Sequence, residues 1–265
     1  MNSLSYRAVW KNDFQRRREG LIKISTWDPY GNWELNTMPD SSTEHFLLYG
    51  LDILYGHGDA CLARLFLEYC LAIAERTLAE DKLQSPRCRD TFPENRGILL
   101  SARTYAQAVL GSPLDAVALR QAAADFEQAC ADFRKHKWDD FQENTYLSAV
   151  RVALVAGDAE TVQRLLTRRR VFRWFPEQDE LFRGLLPLLQ TSTAPDADFQ
   201  ARFKAYFDCV RDPNYKPQMQ VRTGIYDVYV RRGVLRLEMG ILYEKYFLSP
   251  DRTINWQRTI DAIAD

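Results

Sequence analysis

Side chains able to do acid–base or metal chemistry near neutral pH are sparse in this chain: His45, His57 and His136 are its three histidines. None has a second histidine four residues on, and none sits in an H-E-x-x-H motif, so no helical zinc site is written into the sequence. His57, between Gly56 and Gly58 and ahead of Asp59, has the setting of a catalytic loop and equally that of a plain helix connector. The five cysteines, Cys61, Cys70, Cys88, Cys130 and Cys209, are widely spread, form no C-x-x-C pair, and have no histidine beside them to act as a base. They are expected to be reduced, buried thiols. G-x-S-x-G, Walker A and G-x-G-x-x-G motifs are absent.

Two charged groupings remain. Asp139, Asp140 and Glu143 could hold a cation or meet a basic partner, and they are equally explained as a solvated first turn at the positive end of a helix dipole. Arg168, Arg169, Arg170 and Arg173 lie among Phe172, Trp174 and Phe175, a pattern able to track single-stranded nucleic acid. The competing account is a helix end whose aromatics enter the core while the arginine heads stay in water. On balance the expectation is no catalytic residue, no cofactor and no metal: a protein that binds and is not an enzyme.

The elements that must position these residues are helices. From Lys137 to Gln190, Tyr146, Leu147, Val150 and Leu154 recur at helical spacing and Gly157 then stops the helix, because glycine accepts the left-handed conformation that closes a C-terminus. Asp158 is placed to cap the next helix, which buries Val162, Leu165 and Leu166 and ends in arginines. Pro176 suits the first turn of a third helix, with Leu181, Phe182, Leu185 and Leu188 on its apolar side, and Pro187 is expected to bend or end it.

Elsewhere the pattern predicts helices at 6–18, from 41 to about 54, at 59–82 with Leu62, Leu65, Phe66, Tyr69, Ile73 and Leu78 buried, and at 96–110, 114–135 and 198–210. A last long pattern at 220–247 is expected to break at Gly233, and a short helix at 254–263 follows Pro250. Residues 21–36 carry β-branched residues and the turn Asp28-Pro29-Tyr30-Gly31-Asn32, consistent with a short hairpin or an irregular aromatic loop. Residues 84–95, with two prolines, read as a loop. The fold class is all-α: a multi-helix bundle or short irregular helical-repeat solenoid of about ten helices. Residues 1–265 are expected to be one domain, because the polar stretch 191–197 is no longer than an ordinary connection. Shifting the chain by roughly the 34 residues of a tetratricopeptide repeat sets Ala123-Ala124 on Gly157-Asp158, so the turn does not recur.

Charge is balanced, 35 basic against 36 acidic residues, which excludes a global field drawing the protein to nucleic acid. With 46% hydrophobic residues the chain can bury a sizeable core, and no stretch approaches the roughly 18 apolar residues of a membrane span. The N-terminus, with charges and Trp10, lacks the apolar run of a signal peptide. A soluble, cytoplasmic protein with no nucleic-acid or membrane partner is expected.

The stretch KWDDFQENTYLSAVRVALVAGDAETVQRLL, followed by RWFPEQDELFRGLL, resembles the bacterial polymorphic-toxin immunity proteins of the family numbered forty-nine. The shared features are Trp138, Tyr146-Leu147, Ala149, Arg151, Ala153-Leu154, Gly157-Asp158 and Leu165-Leu166; they cover about 50 residues and are structural. The resemblance implies an immunity protein: a helical, non-catalytic inhibitor of a cognate antibacterial toxin, acting by stoichiometric occupancy. Near-neutral charge weighs against a strongly basic nuclease as that toxin. Aromatic and arginine anchors favour binding hot spots, so Trp138, Asp139, Asp140, Arg173 and Trp174 are the expected partner-binding residues. The alternative is a tetratricopeptide-like helical adaptor for a peptide or protein.

Overall fold

The computed structural model describes residues 43, 46–47, 50–51, 53–54, 59–79, 92–135, 139–168, 176–191, 194–211, 225–255 and 258–259. For 92, 132–135, 139–142, 144 and 225–233 only the backbone is described. Among these residues eight α-helices are bounded: α1 (Ala60–Ala79), α2 (Phe92–Val109), α3 (Ala116–Lys135), α4 (Asp139–Ala156), α5 (Ala159–Arg168), α6 (Pro176–Gln190), α7 (Ala197–Arg211) and α8 (Ile225–Tyr243). A π-helical turn, Glu244–Leu248, continues α8. The described residues between 43 and 54 are also helical, no strand occurs among the described residues, and the class is all-α. The expected helix at 6–18, the 21–36 segment and most of 254–263 lie outside the described residues; Arg258 and Thr259 are helical.

Aspartate starts four of these helices. Asp59, Asp115, Asp158 and Asp196 each accept a backbone N–H from the first turn ahead, at 3.2, 3.0, 3.0 and 3.3 Å, which satisfies donors that the helix itself leaves free. Between α4 and α5 the stop and the start are consecutive. Gly157 has φ +74°, its N–H donates to Leu154 O at 3.1 Å, and the Asp158 N–H reaches back to Ala153 O at 3.0 Å. This is the paired closure that a left-handed glycine permits.

Helices adjacent in sequence pack on one another from α1 to α8, and α4 also receives α6 and α8. Buried side chains from all of them form one contiguous core around α4, where every described residue from Thr145 to Ala156 is buried. Alanines 118, 122, 123, 149 and 153, all buried, let α3 and α4 lie close. No described helix is long and apolar enough to cross a membrane.

Four expectations are corrected. Leu65 is 44% exposed; at about 100° per residue it falls roughly 130° from the middle of the buried face of α1, which Ala63, Leu67, Cys70 and Ala74 complete instead. Helix α2 starts four residues before the expected position because Pro93, read as a loop signal, sits in its first turn, where its missing N–H is no loss. Of the two outcomes expected for Pro187, bending or ending α6, the second is excluded: the helix runs to Gln190, since so near the C-terminus the ring removes a single helical bond while Leu181, Phe182, Leu185 and Leu188 stay buried. Gly233 does not break α8; Val234, Leu235, Leu237, Met239, Ile241 and Leu242 are buried beyond it, and burial outweighs the propensity cost of one glycine.

Candidate functional site

The most concentrated polar chemistry among the described residues lies inside the body, where α2, α4, α6 and α8 meet. Arg151 is the one charge on α4 between Tyr146 and Ala156, and it lies on the helix's buried side with Leu147 and Leu154. Its side chain is 4% exposed and that of Glu238 on α8 is 2% exposed. Arg151 Nε donates to Glu238 Oε2 at 2.6 Å, Nη1 to Gln178 Oε1 on α6 at 3.2 Å, and Nη2 to Ser148 Oγ at 3.0 Å. Tyr105 on α2 donates its hydroxyl to Glu238 Oε1 at 2.9 Å. Both carboxylate oxygens therefore have a donor, and the guanidinium spends its donors on three partners.

Burial pushes the Glu238 carboxyl above its ordinary value, against the opposing pull of Arg151. Burial likewise pushes the Tyr105 phenol well above its usual range, and the adjacent Glu238 charge adds to the effect. Ile98, Ser101, Phe126, Ser148, Arg151, Val234 and Glu238 line a cavity of ≈ 20 Å³, room for about one water. Chemically, the arrangement is a clamp: it fixes four helices at one point, and the cavity beside it is far below the roughly 300–1,000 Å³ of a small-molecule site.

A second polar arrangement closes the α4–α5 turn. Lys245 Nζ donates to Val155 O at 2.9 Å, and the Tyr246 hydroxyl adds a second donor, at 3.1 Å, to Leu154 O, which already accepts from the Gly157 N–H; the π-turn thus supplies donors to the C-terminal carbonyls of α4. Burial lowers the Lys245 pKa to about 8, with Arg252 contributing in the same direction. At the surface, Glu127 on α3 pairs with both Arg164 and Arg168 of α5; below it, Arg96 on α2 holds the buried Asp125 of α3, Nε to Oδ2 at 2.7 Å.

Of the expected partner-binding residues, Asp139 and Asp140 open α4, but their side chains lie outside the described residues. Trp138, Arg173 and Trp174 lie wholly outside them, as do His45, His57, His136 and Cys88. Glu143 is not part of a solvated turn with Asp139 and Asp140: it is 1% exposed, on the core-facing side of α4. No group of three or more His, Cys, Asp or Glu placed to hold a metal occurs among the described residues. Arg168 is exposed and ion-paired, as a wet helix end requires. The cysteines divide. Cys70 and Cys130 are buried, whereas Cys61 and Cys209 are exposed on the outer sides of α1 and α7, which corrects the expectation that all would be interior.

In the sequence Arg151 is one letter of the resembling stretch, and Glu238 lies outside it. The available signal was a lone charge on the apolar stripe of each helix, which burial makes costly unless another helix supplies the opposite sign. No family model, curated protein or solved structure matches the chain.

Proposed function

We propose that the chain is an immunity protein that binds and neutralises a cognate antibacterial toxin by stoichiometric occupancy. The observation that carries this reading is where the resembling stretch falls. Residues 139–168 and 176–190 are α4, α5 and α6, and α4 is the helix onto which α3, α5, α6 and α8 all pack. The similarity therefore concerns the scaffold itself. A body clamped at Arg151–Glu238 and stapled at Val155 enters a complex without reordering, and preorganisation is what a tight stoichiometric inhibitor requires.

In this reading the partner is a protein, neither nucleic acid nor membrane, met in the cytoplasm, and the surface bet is the end of the body at Trp138, Asp139, Asp140, Arg173 and Trp174. In the same reading the whole chain forms about ten helices, arranged as a multi-helix bundle or a short irregular helical-repeat solenoid. Neighbour-on-neighbour packing from α1 to α5 also favours the second reading, a helical adaptor, while the return of α8 onto α4 departs from a repeat array in which each unit touches only its neighbours.

The test is growth rescue. The C-terminal domain of the protein encoded in the adjacent reading frame, as the proposed toxin, is expressed in a bacterial cell with and without this chain; toxicity with restored growth is expected, the rescue being reduced when Asp139 and Asp140 are both replaced by lysine. Undiminished killing, or rescue by an unrelated helical protein, refutes the proposal.

A further inference from the structure

The amine of Lys245, at the end of α4, has few commitments. Its Nζ makes one hydrogen bond, to Val155 O, and no carboxylate pairs with it among the described residues. The acidic groups nearest along the chain are engaged elsewhere: Glu244 with Arg258, Asp251 with Ser249 and Thr253, and Asp158 with the Thr161 N–H and, at 3.9 Å, with Arg120. The charged neighbour of Lys245 is another cation. Its Nζ and the Arg252 guanidinium both lie over the Tyr246 ring, 5.5 and 5.8 Å from the centroid. Arg252 is held there by its bond to Thr191 O and by a backbone φ of +59°, a conformation costly to any residue with a side chain. Burial, with Arg252 adding to it, disfavours the ammonium form and brings the amine's pKa to about 8. At pH 7.5 about a quarter of it is then neutral, against about a thousandth of an ordinary lysine.

The way in is across Gly157. A Cβ placed there would meet Lys245 Nζ at 3.1 Å and, its chain neighbours aside, no other described atom within 4 Å, so the turn leaves open space beside the nitrogen. Lys245 itself is half-buried. This setting favours one kind of product from a nucleophilic amine. A carbamate would put an anion beside Val155 O at the negative end of α4, where the helix dipole opposes it. An amide keeps one N–H for Val155 O, carries no charge and ends the repulsion with Arg252. Among acyl donors, an acyl phosphate brings an anionic leaving group suited to the Arg252 guanidinium.

We propose that Lys245 is a modification site, its Nζ taking an acyl group from a small acyl phosphate that enters across Gly157 beside Arg252. The neutral amine attacks the carbonyl carbon, the C–N bond forms as the C–O bond to phosphate breaks, and the amine's proton leaves with the phosphate as hydrogen phosphate. The product withdraws a cation from the end of α4, so the α4–α5 turn is the element that the modification loosens.

Acetyl phosphate incubated with the full chain, with acetylation read by peptide mass spectrometry, tests the assignment; partly exposed Lys204, paired with Asp208, is the internal reference. At pH 7.5 Lys245 should be acetylated about tenfold faster than Lys204, or more, at a rate that climbs with pH and levels above about 8. Gly157→Ala, which sets a methyl group in the approach, should slow Lys245 about fivefold in the folded variant and leave Lys204 unchanged. Arg252→Gln should also slow Lys245 at pH 7.5, by returning the proton to the amine, and should move the level part of the profile to higher pH. A Lys245 rate no greater than that of Lys204, a rate still climbing at pH 10, a folded Gly157→Ala chain acetylated as fast as wild type, or an Arg252→Gln profile identical to wild type would each overturn it.

Discussion

Replacing Arg151 by methionine roughly keeps the volume of the side chain and deletes its charge, leaving Glu238 with the Tyr105 hydroxyl, at 2.9 Å, as its donor. At 2% exposure that carboxylate cannot recover its hydration, and breaking a buried pair from one side costs about 3–5 kcal/mol. Glu238→Leu strands the guanidinium at similar cost, although Gln178 and Ser148 still accept from it. The double variant leaves no charge. Its loss is confined to orphaned neutral groups, chiefly the Tyr105 hydroxyl, about 1–3 kcal/mol, so it should be more stable than either single variant. Simple addition would instead give roughly 6–10 kcal/mol, enough to unfold a domain of ordinary stability. Urea unfolding followed by far-ultraviolet circular dichroism distinguishes the two outcomes, and a double variant no more stable than its singles would refute the clamp. The pH dependence supplies a sign. Glu238 has a folded pKa raised above its unfolded value by burial, so its contribution is full below the unfolded value and is lost as pH rises through the folded one. Removing Arg151 raises the folded value further, and the gap between wild type and Arg151→Met should be narrower at about pH 5 than at about pH 8.

Lys245→Met should cost about 1–2 kcal/mol by removing a donor and a cation from the negative end of α4. The lysine's folded pKa of about 8 lies below its ordinary 10.5, so the unfolded chain binds more protons in between; wild type should gain stability relative to Lys245→Met from pH 8 to about 10, read by thermal melts. Gly157→Ala should cost about 1–2 kcal/mol in the same melts, since φ is +74° and the new Cβ would lie 3.1 Å from Lys245 Nζ; a neutral result would contradict the left-handed closure. Gly184→Ala should cost about 1–3 kcal/mol, because its Cβ would stand 2.3 Å from the Phe199 ring where α6 meets α7, and an unchanged melt would show that Phe199 can move aside.

What was legible in the sequence was local. Gly157 and Asp158 state their roles within a few residues of themselves: one needs positive φ, the other a free N–H three positions ahead, and both are as expected. Pro93, Pro187 and Gly233 misled because intrinsic preference is a weak prior where an apolar face is buried, and because proline costs little near a helix end. Leu65 misled because counting apolar residues does not say which side of α1 the neighbours occupy. The clamp was not legible, since Arg151 and Glu238 are 87 residues apart and only their convergence shows that each lone charge answers the other. The surface residues chosen for partner contact rest on residue type alone, and the buried position of Glu143 shows how poorly a run of acidic letters specifies an exposed face.

The central claim is that the charged interior holds the body in shape while an outer surface does the work. Calorimetric titration of the proposed toxin, once the growth-rescue test has identified it, into the folded Arg151→Met/Glu238→Leu variant tests it. One-to-one binding with a Kd within about threefold of wild type is the expected result, whereas loss of binding by the folded variant, or no binding by the wild-type chain, would contradict it.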